Sequence, residues 1–333
     1  MNWNLGYSAE YYATIVDRTT WRDLEVIPIT GGTVSRSGDA LVESADIETR
    51  TQLDTEEYVR VWMDTRQNGE AAHTAVFTGL ASTPTKAVNG NVNTFTFACY
   101  SVLKPAQDML LKRGWFAPAG MPCGDIVENL LSVLPAPVEV QSGSPKLKQS
   151  VIAENGETNL SMALKIIKAM NWRLRIEGDG TIRVTKKPTR AAAEFNPLDN
   201  DAIEPELTIS NDWYACPNVF RAICGDETAE ARDDDKHSPL STVNRKREIW
   251  KEENCKLNDG ESITAYAMRR LKEEQKCEYT VEYSRRYNPD LRPGDLVTLR
   301  YPKQGLTGDY IIKAQSIELG GCARTGETVE RST

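Results

Sequence analysis

Alternation of apolar and polar side chains dominates the first hundred residues. Residues 58–63 (YVRVWM) and 94–99 (TFTFAC) place an apolar side chain at every second position. This period of two is typical of a β-strand with one buried face. Turn residues such as Gly31-Gly32 are expected to separate the strands. The pattern predicts an all-β barrel or sandwich domain over residues 1–103.

The middle of the chain has the period of a helix instead. Residues 158–170 repeat apolar side chains at helical spacing, and Thr158 stands where an N-cap is expected. Residues 172–184 then alternate around Glu177-Gly178-Asp179-Gly180, which predicts a hairpin with arginines on one face. Residues 104–188 are therefore expected to form a small α+β region.

A second β-rich part is predicted after residues 189–206, which have no single period and indicate a linker. Residues 262–275 predict a helix with one apolar stripe, and residues 277–283 alternate over seven positions. We expect residues 207–319 to form a second β domain with this one helix, and residues 320–333 to form a polar tail. The predicted fold class is mainly β, with two β-barrel or sandwich domains flanking a small α+β region.

A compact turn signal, Arg292-Pro293-Gly294-Asp295, precedes a predicted strand in the last third of the chain. Tight turns select proline because its φ is fixed, and glycine because it adopts φ values that other residues avoid. We interpret these four residues as a structural connector without a chemical role.

Length and charge restrict the class of protein. The 333 residues exceed the roughly 250 to 300 that one hydrophobic core accommodates, so two or three domains are expected. The net charge of −8 argues against a nucleic-acid-binding surface, because such a surface requires clustered Lys and Arg. The charged residues 226–237 are expected to be a solvated loop. Neither a membrane span nor a signal-peptide pattern occurs, and we expect synthesis in the cytoplasm.

Few residues suggest chemistry. The two histidines, His73 and His237, lie in polar contexts without a neighbouring nucleophile or ligand, and no hydrolase, metalloprotease or nucleotide-binding motif occurs. The cysteines are scattered and form no CxxC pair, which indicates buried reduced thiols. We predict no enzyme activity and no catalytic, metal-binding or cofactor-binding residue. The seven cysteines are Cys99, Cys123, Cys216, Cys224, Cys255, Cys277 and Cys322.

An aromatic cluster near the amino terminus is the one candidate interface. It consists of Trp3, Tyr7, Tyr11 and Tyr12. Aromatic side chains of this kind anchor protein–protein contacts, and they also fill cores. Both interpretations, a contact with a neighbouring chain and packing within this chain, remain open from the sequence.

The order of these parts, together with residues 261–319, resembles the baseplate hub proteins of contractile phage tails and of phage-like particles such as tailocins and defective prophages. The matching features are a helix before a strand, the turn Pro293-Gly294-Asp295-Leu296-Val297, and the later Gly308-Asp309-Tyr310-Ile311-Ile312. Residues 74–82 (TAVFTGLAS) also look like the strand before the first-domain turn of that family.

This resemblance implies a homotrimer in which each subunit supplies two tube-like β domains. Three subunits would then present a pseudo-sixfold ring that joins a sixfold tail tube protein to a threefold central spike protein, beside other baseplate proteins. Synthesis in the bacterial cytoplasm and assembly into the tail baseplate of a virion or phage-like particle are expected, with DNA passing through the lumen without specific binding. The two β domains are not visible as a sequence repeat, because the helix at Ser262 has no counterpart in residues 1–103.

Two other functions remain as alternatives. A tail-associated cell-wall hydrolase would use a pair of carboxylates, although no pair among the 48 Asp and Glu residues stands out by its spacing. A carbohydrate-binding or receptor-binding tail-tip protein would expose Trp or Tyr on a β face.

Overall fold

A computed structural model describes residues 1–38, 42–90, 92–196, 203–210, 213–214, 216–254, 261–275, 280–321 and 323–332. The mainly β fold predicted from the sequence is confirmed, since one sheet of twelve strands dominates the described residues. The strands are β1 (Ser8–Val16), β2 (Asp23–Ser37), β3 (Val42–Thr49), β4 (Tyr58–Gln67), β5 (Glu70–Asn89), β6 (Val92–Ser101), β7 (Phe116–Ala117), β8 (Val138–Val140), β9 (Val151–Ile152), β10 (Trp172–Ile176), β11 (Ile182–Lys186), β12 (Ala193–Phe195), β13 (Ile203–Ser210), β14 (Val219–Cys224), β15 (Glu227–Arg232), β16 (Trp250–Asn254), β17 (Thr280–Arg286), β18 (Leu296–Tyr301), β19 (Leu306–Glu318) and β20 (Arg324–Arg331). The helices are α1 (Lys104–Asp108), α2 (Cys123–Leu131), α3 (Asn159–Ala169), α4 (Thr242–Arg245) and α5 (Ile263–Glu274).

The first six strands form a closed ring, which we call the first β unit. They pair in the order β1-β4-β5-β6-β3-β2, and β2 pairs with β1 to close it. The alternation of residues 58–63 works as predicted, because Val59, Val61 and Met63 are fully buried inside this ring. Phe77 and Phe97 from β5 and β6 fill the same core.

Six later strands, the second β unit, repeat this pairing order. They run β12-β18-β19-β20-β17-β13, so that β12, β13, β17, β18, β19 and β20 correspond in chain order to β1 to β6. Four of the five shared pairings have the same antiparallel direction in both units. The fifth differs because β12 runs parallel to β18, whereas β1 runs antiparallel to β4. No pairing of β12 with β13 closes the second unit within the described part of the chain.

The strand β2 joins the two units into one sheet. Its first part pairs with β1, whereas Thr33–Ser37 pair with Glu318–Ala314 of β19. Gly31 and Gly32 lie between these parts, inside the strand, so the turn predicted there is wrong. A Cβ atom on Gly32 would lie 2.3 Å from the carbonyl oxygen of Asp46, and the φ of Gly32 is 149°. Glycine is thus required here by a close backbone approach.

The predicted α+β region lies after β6. Its helix α3 begins with a capping box, in which Thr158 and Ser161 each accept a hydrogen bond from the other's backbone N–H. The apolar face of α3, including Ile166 and Ile167, packs on α2 and on the sheet of β10, β11 and β8. The predicted hairpin is confirmed, because β10 and β11 pair in register from Trp172 to Ile176.

The helix assigned by sequence to the second β domain belongs to a separate layer. Helix α5 packs Tyr266, Ala267 and Leu271 on Phe220 and Ala222 of a three-stranded sheet, β15-β14-β16. These elements are inserted between β13 and β17 of the second β unit.

The solvated loop predicted at residues 226–237 is wrong where β15 forms. Ala231 lies in the small core beneath α5, whereas Glu230 forms an ion pair with Arg221 on the exposed side. A strand of charged residues is stable here because outward Glu230 pairs with Arg221 of β14 and outward Arg232 pairs with Glu248, whereas the inward Ala229 and Ala231 are small.

The predicted polar tail is also wrong, because β20 lies between β17 and β19 in the sheet. Its inward side chains are Thr325, Glu327 and Val329, all buried. Two of the three are polar, so the strand lacks the apolar alternation that would have revealed it.

The predicted linker contains β12, which pairs with β18. Residues 197–202 of that linker and residues 277–279 of the predicted alternating strand lie outside the described residues.

Replacement of Val329 by alanine tests whether β20 is part of the core. The substitution removes the equivalent of two buried methylene groups, so we expect the free energy of unfolding to fall by about 2 kcal/mol in urea denaturation. Thr328→Ala, on the opposite face of the same strand, is the matched control and should change it by less than about 0.5 kcal/mol. If Val329→Ala and Thr328→Ala both left the free energy of unfolding almost unchanged, β20 would not be part of the core.

Candidate functional site

The turn Arg292–Asp295 is built by its own sequence. Gly294 has a φ of 88°, a left-handed conformation that favours glycine. The backbone N–H of Arg292 donates to Oδ2 of Asp295 at 2.9 Å and closes the turn. The N–H of Gly294 donates to the carbonyl oxygen of Ile312 at 2.7 Å, which attaches the turn to β19. The predicted connector is therefore present, and its side chains do more than connect strands.

Asp295 links this turn to the α+β region. Its carboxylate is 5% exposed and accepts a hydrogen bond from Nη1 of Arg173 at 2.8 Å and from Nη1 of Arg175 at 3.0 Å. Both arginines project from the same face of β10, as the predicted hairpin requires. Arg173 also donates to the carbonyl oxygen of Gly294 at 2.8 Å.

Arg292 links the turn to both neighbouring parts. Its Nη1 donates to the carbonyl oxygen of Ile176 at 3.1 Å, and its Nε lies 3.5 Å from Oε2 of Glu177. Glu43 of β3 lies between two arginines, 3.7 Å from Nη1 of Arg292 and 3.5 Å from Nε of Arg36. Burial lowers the pKa of Arg292, and the charge of Arg36 lowers it further. Burial raises the pKa of Glu43, against the opposing effect of these arginines.

A second buried ion pair lies in the second β unit. Nε of Arg285 donates to Oε2 of Glu327 at 2.8 Å, and both side chains are almost fully buried. Nε2 of Gln315 donates to Glu327 at 2.7 Å and to the carbonyl oxygen of Leu291, next to the turn, at 3.0 Å. Burial acts to raise the pKa of Glu327, but the charge of Arg285 and these hydrogen bonds outweigh it and hold the pKa below its ordinary value.

A polar groove of about 700 Å³ crosses the seam between the two β units. Small hydroxyl side chains line it, and glutamates stand among them. Two cations, Arg36 and Arg324, also line the groove, and Arg324 forms an ion pair with Glu204 at 2.8 Å. The residues that contribute a hydroxyl or carboxylate are Ser35, Ser37, Ser44, Glu204, Glu206, Thr208, Glu282, Tyr283, Ser284, Ser316, Glu327 and Thr328. Sequence reasoning missed this groove because its residues are scattered over six strands.

The aromatic cluster packs largely within the chain. Nε1 of Trp3 donates to Asp290 at 3.0 Å, and the hydroxyl of Tyr7 donates to the carbonyl oxygen of Tyr287 at 2.5 Å. Trp3, Tyr7 and Tyr11 pack against the core of the first β unit. These contacts connect the amino terminus to the segment that leads into the turn.

Tyr12 differs from the rest of the cluster, because it lies on the opposite face of β1 and stacks on His73, with ring centroids 6.1 Å apart. A contact of the cluster with a neighbouring chain stays a prediction.

The residues singled out for chemistry do not converge. His73 lies on β5 and its Nδ1 is 2.6 Å from Asp64, far along the chain from His237. Cys99, Cys123 and Cys216 are buried free thiols, and Cys224 is a half-buried one. Cys255, Cys277 and Cys322 lie outside the described residues. Within the described ranges, no group of three His, Cys, Asp or Glu side chains could hold a metal ion, and no helix is long and apolar enough to cross a membrane.

Several solved structures share this fold, among them two tail proteins and a secretion component. A tail protein from Neisseria meningitidis MC58 aligns with a TM-score of 0.70 and 14% identity, over 98% of this chain and 97% of that one. The 43 kDa tail protein of prophage MuSo2 from Shewanella oneidensis gives a TM-score of 0.69 and 15% identity, over 97% and 98%.

A type VI secretion component from E. coli, described as structurally similar to the T4 bacteriophage tail proteins gp27 and gp5, gives a TM-score of 0.54 and 8% identity, over 92% and 74%. No protein-family model and no curated protein matches the chain. At these identities the likeness shows the fold alone, and that fold is shared with phage-type tail proteins, as the resemblance implies.

Replacement of Asp295 by asparagine tests the junction. The change leaves Arg173 and Arg175 without their carboxylate in a largely buried setting, so we expect a loss of about 3 to 5 kcal/mol in the free energy of unfolding. Glu194→Gln, which breaks the exposed ion pair with Arg300, is the control and should cost less than about 1 kcal/mol. Urea denaturation measures both, and similar costs would refute the role of Asp295.

The pair Arg285–Glu327 predicts a dependence on pH. Because the pKa of Glu327 is lowered in the folded chain, its stabilisation is present above the ordinary value of 4.5 and is lost as the pH falls below it. Glu327→Gln should therefore destabilise the protein most at neutral pH, and the difference from wild type should shrink below pH 4.5. Glu282→Gln, an exposed neighbour, is the control. A difference that stays constant across this range in denaturation experiments would contradict the assignment.

Proposed function

We propose that this protein is a structural hub of a phage-type tail baseplate, and that three copies form a ring between a sixfold tail tube and a threefold central spike. The observation that carries the proposal is the repeated pairing order of the first and second β units. Two similar six-stranded units in each chain give six in a trimer. A ring of six similar units matches a sixfold partner on one side, while its true threefold symmetry matches the spike on the other.

The seam between the units supports this arrangement. The pairing of β2 with β19 makes one continuous sheet within the chain, so the ring needs only one further kind of contact between copies. Such a heterologous contact closes a ring when the rotation between copies allows it. The fold shared with tail proteins from Neisseria and Shewanella supports the same role.

The polar groove gives the ring a candidate inner surface. Its hydroxyl groups and the exposed carboxylates of Glu206 and Glu282 would face a passing polyanion without holding it, because negative charge repels phosphate. The other two glutamates are neutralised, Glu204 by Arg324 and Glu327 by Arg285. The net charge of the whole chain, −8, is also negative. DNA would therefore slide through the lumen without specific binding. The proposed role is structural rather than enzymatic, and its partners are the tail tube protein, the central spike protein and other baseplate proteins.

Mass measurement and electron microscopy test the proposal. The purified chain, alone and mixed with tail tube and spike proteins from the same particle, is examined by light scattering after size-exclusion chromatography. We expect a species of three times the 37.2 kDa chain mass, seen by electron microscopy as a threefold ring with a central hole. The tube protein should bind one face and the spike protein the other.

A monomeric mass that persists in the presence of both partners would refute the hub. So would a ring that binds neither of them. In a band-shift assay the wild-type ring should leave the mobility of double-stranded DNA unchanged. A shifted DNA band would contradict a lumen that repels DNA. Asp295→Asn, which weakens the junction within each chain, should lower the yield of rings, whereas the surface control Glu194→Gln should not.

A further inference from the structure

A cleft of about 400 Å³ lies beside the Arg292–Asp295 turn, where the first β unit, the α+β region and the second β unit meet. We call it the junction cleft. The end of α3, the strand β10, the turn itself and the adjoining ends of β2 and β19 form its walls. Its volume falls in the range of roughly 300 to 1,000 Å³ that is typical of small-molecule sites.

The charge of the junction cleft is opposite to that of the whole protein. Seven of the described residues that line it are Lys or Arg, and one, Glu43, is acidic. Asp295, Glu177 and Glu330, which lie outside the lining, pair with four of these cations, so that a smaller positive excess remains. The chain as a whole has 48 acidic and 40 basic residues, so composition does not account for this local excess. A concave surface with one sign of charge concentrates ligands of the opposite sign.

Two of these cations are buried at the bottom of the cleft. Arg36 and Arg292 are 2% and 3% exposed. Within the described residues, neither Nε atom has a hydrogen-bond acceptor, and the nearest carboxylate oxygens lie 3.5 Å away. Buried guanidinium groups normally satisfy their donors, because an unpaired donor without water is costly. The Nη groups of Arg36 already donate to Tyr287, Gln315 and Val76, and Nη1 of Arg292 donates to Ile176. The buried donor that remains for a further acceptor is therefore the Nε–H of each arginine.

The remaining walls suit an anion with an organic part. Nε of Arg173, which also lines the cleft, is without an acceptor among the described residues. Leu164, Ile167 and Pro293 supply an apolar wall, which strengthens the attraction between charges by excluding water. The ammonium groups of Lys168 and Lys187 belong to the exposed rim.

We propose that the junction cleft binds a small-molecule oxyanion, through a phosphate or carboxylate group placed among Arg36, Arg173 and Arg292. Guanidinium groups pair with such oxyanions in a planar, often bidentate, geometry. The ligand would contact all three parts of the chain at once. Its binding would therefore stabilise their relative arrangement by mass action.

The test uses the full-length protein with inorganic phosphate and, separately, with citrate, each against chloride at equal ionic strength. We expect a saturable rise in melting temperature and a binding isotherm by calorimetry with at least one of them. Comparing the two arms distinguishes a phosphate ligand from a carboxylate ligand. A single-stranded oligonucleotide forms a third arm, and tighter binding of it than of either small anion would overturn the proposal of a small-molecule site.

Rim variants locate the binding. The double variant Lys168→Gln, Lys187→Gln should bind the anion more weakly, with a Kd raised about threefold to tenfold, because two positive charges facing the ligand are lost. Both side chains are exposed, so the fold should persist, which circular dichroism verifies. The matched control is Lys112→Gln with Lys186→Gln, which removes the same charge from exposed positions outside the cleft. An absence of saturable binding to both anions, or an equal loss in the control, would overturn the proposal.

Discussion

The buried contacts of Arg292 and Asp295 fix how three parts of the chain meet. Arg292 reaches β10 and Glu43 of the first β unit, and Asp295 accepts from Arg173 and Arg175. Charges removed from water are tolerated only when they are paired in good geometry. A shift of any one part would leave buried charge without a partner. The ionic contacts thus permit few relative positions of the three parts of the chain. A purely apolar contact would allow the parts to slide against each other.

A backbone constraint acts beside this ionic one. The strand β2 closes the first β unit with its first part and pairs with β19 with its last part. A single strand serves both purposes only if it can bend between them, and Gly31-Gly32 provides the bend where the backbone of Asp46 approaches. The resulting continuous sheet places the two β units side by side, and the turn beside β19 then brings the α+β region against both.

The sequence allowed the larger elements to be predicted but not their assembly. Strands with a simple alternation, such as residues 58–63, and helices with one apolar stripe, such as α3, were found because each has a single buried face. The strand β20 was missed because two of its buried side chains, Thr325 and Glu327, are polar. Their burial depends on partners such as Arg285 that lie far away in sequence. The turn was located correctly, but the contacts of Asp295 come from β10, about 120 residues earlier.

The repeated pairing order was invisible for a related reason. Strand order is a property of hydrogen bonds between backbones, and it can be preserved while the side chains diverge. The insertion between β13 and β17 also separates strands whose counterparts, β2 and β3, follow each other directly.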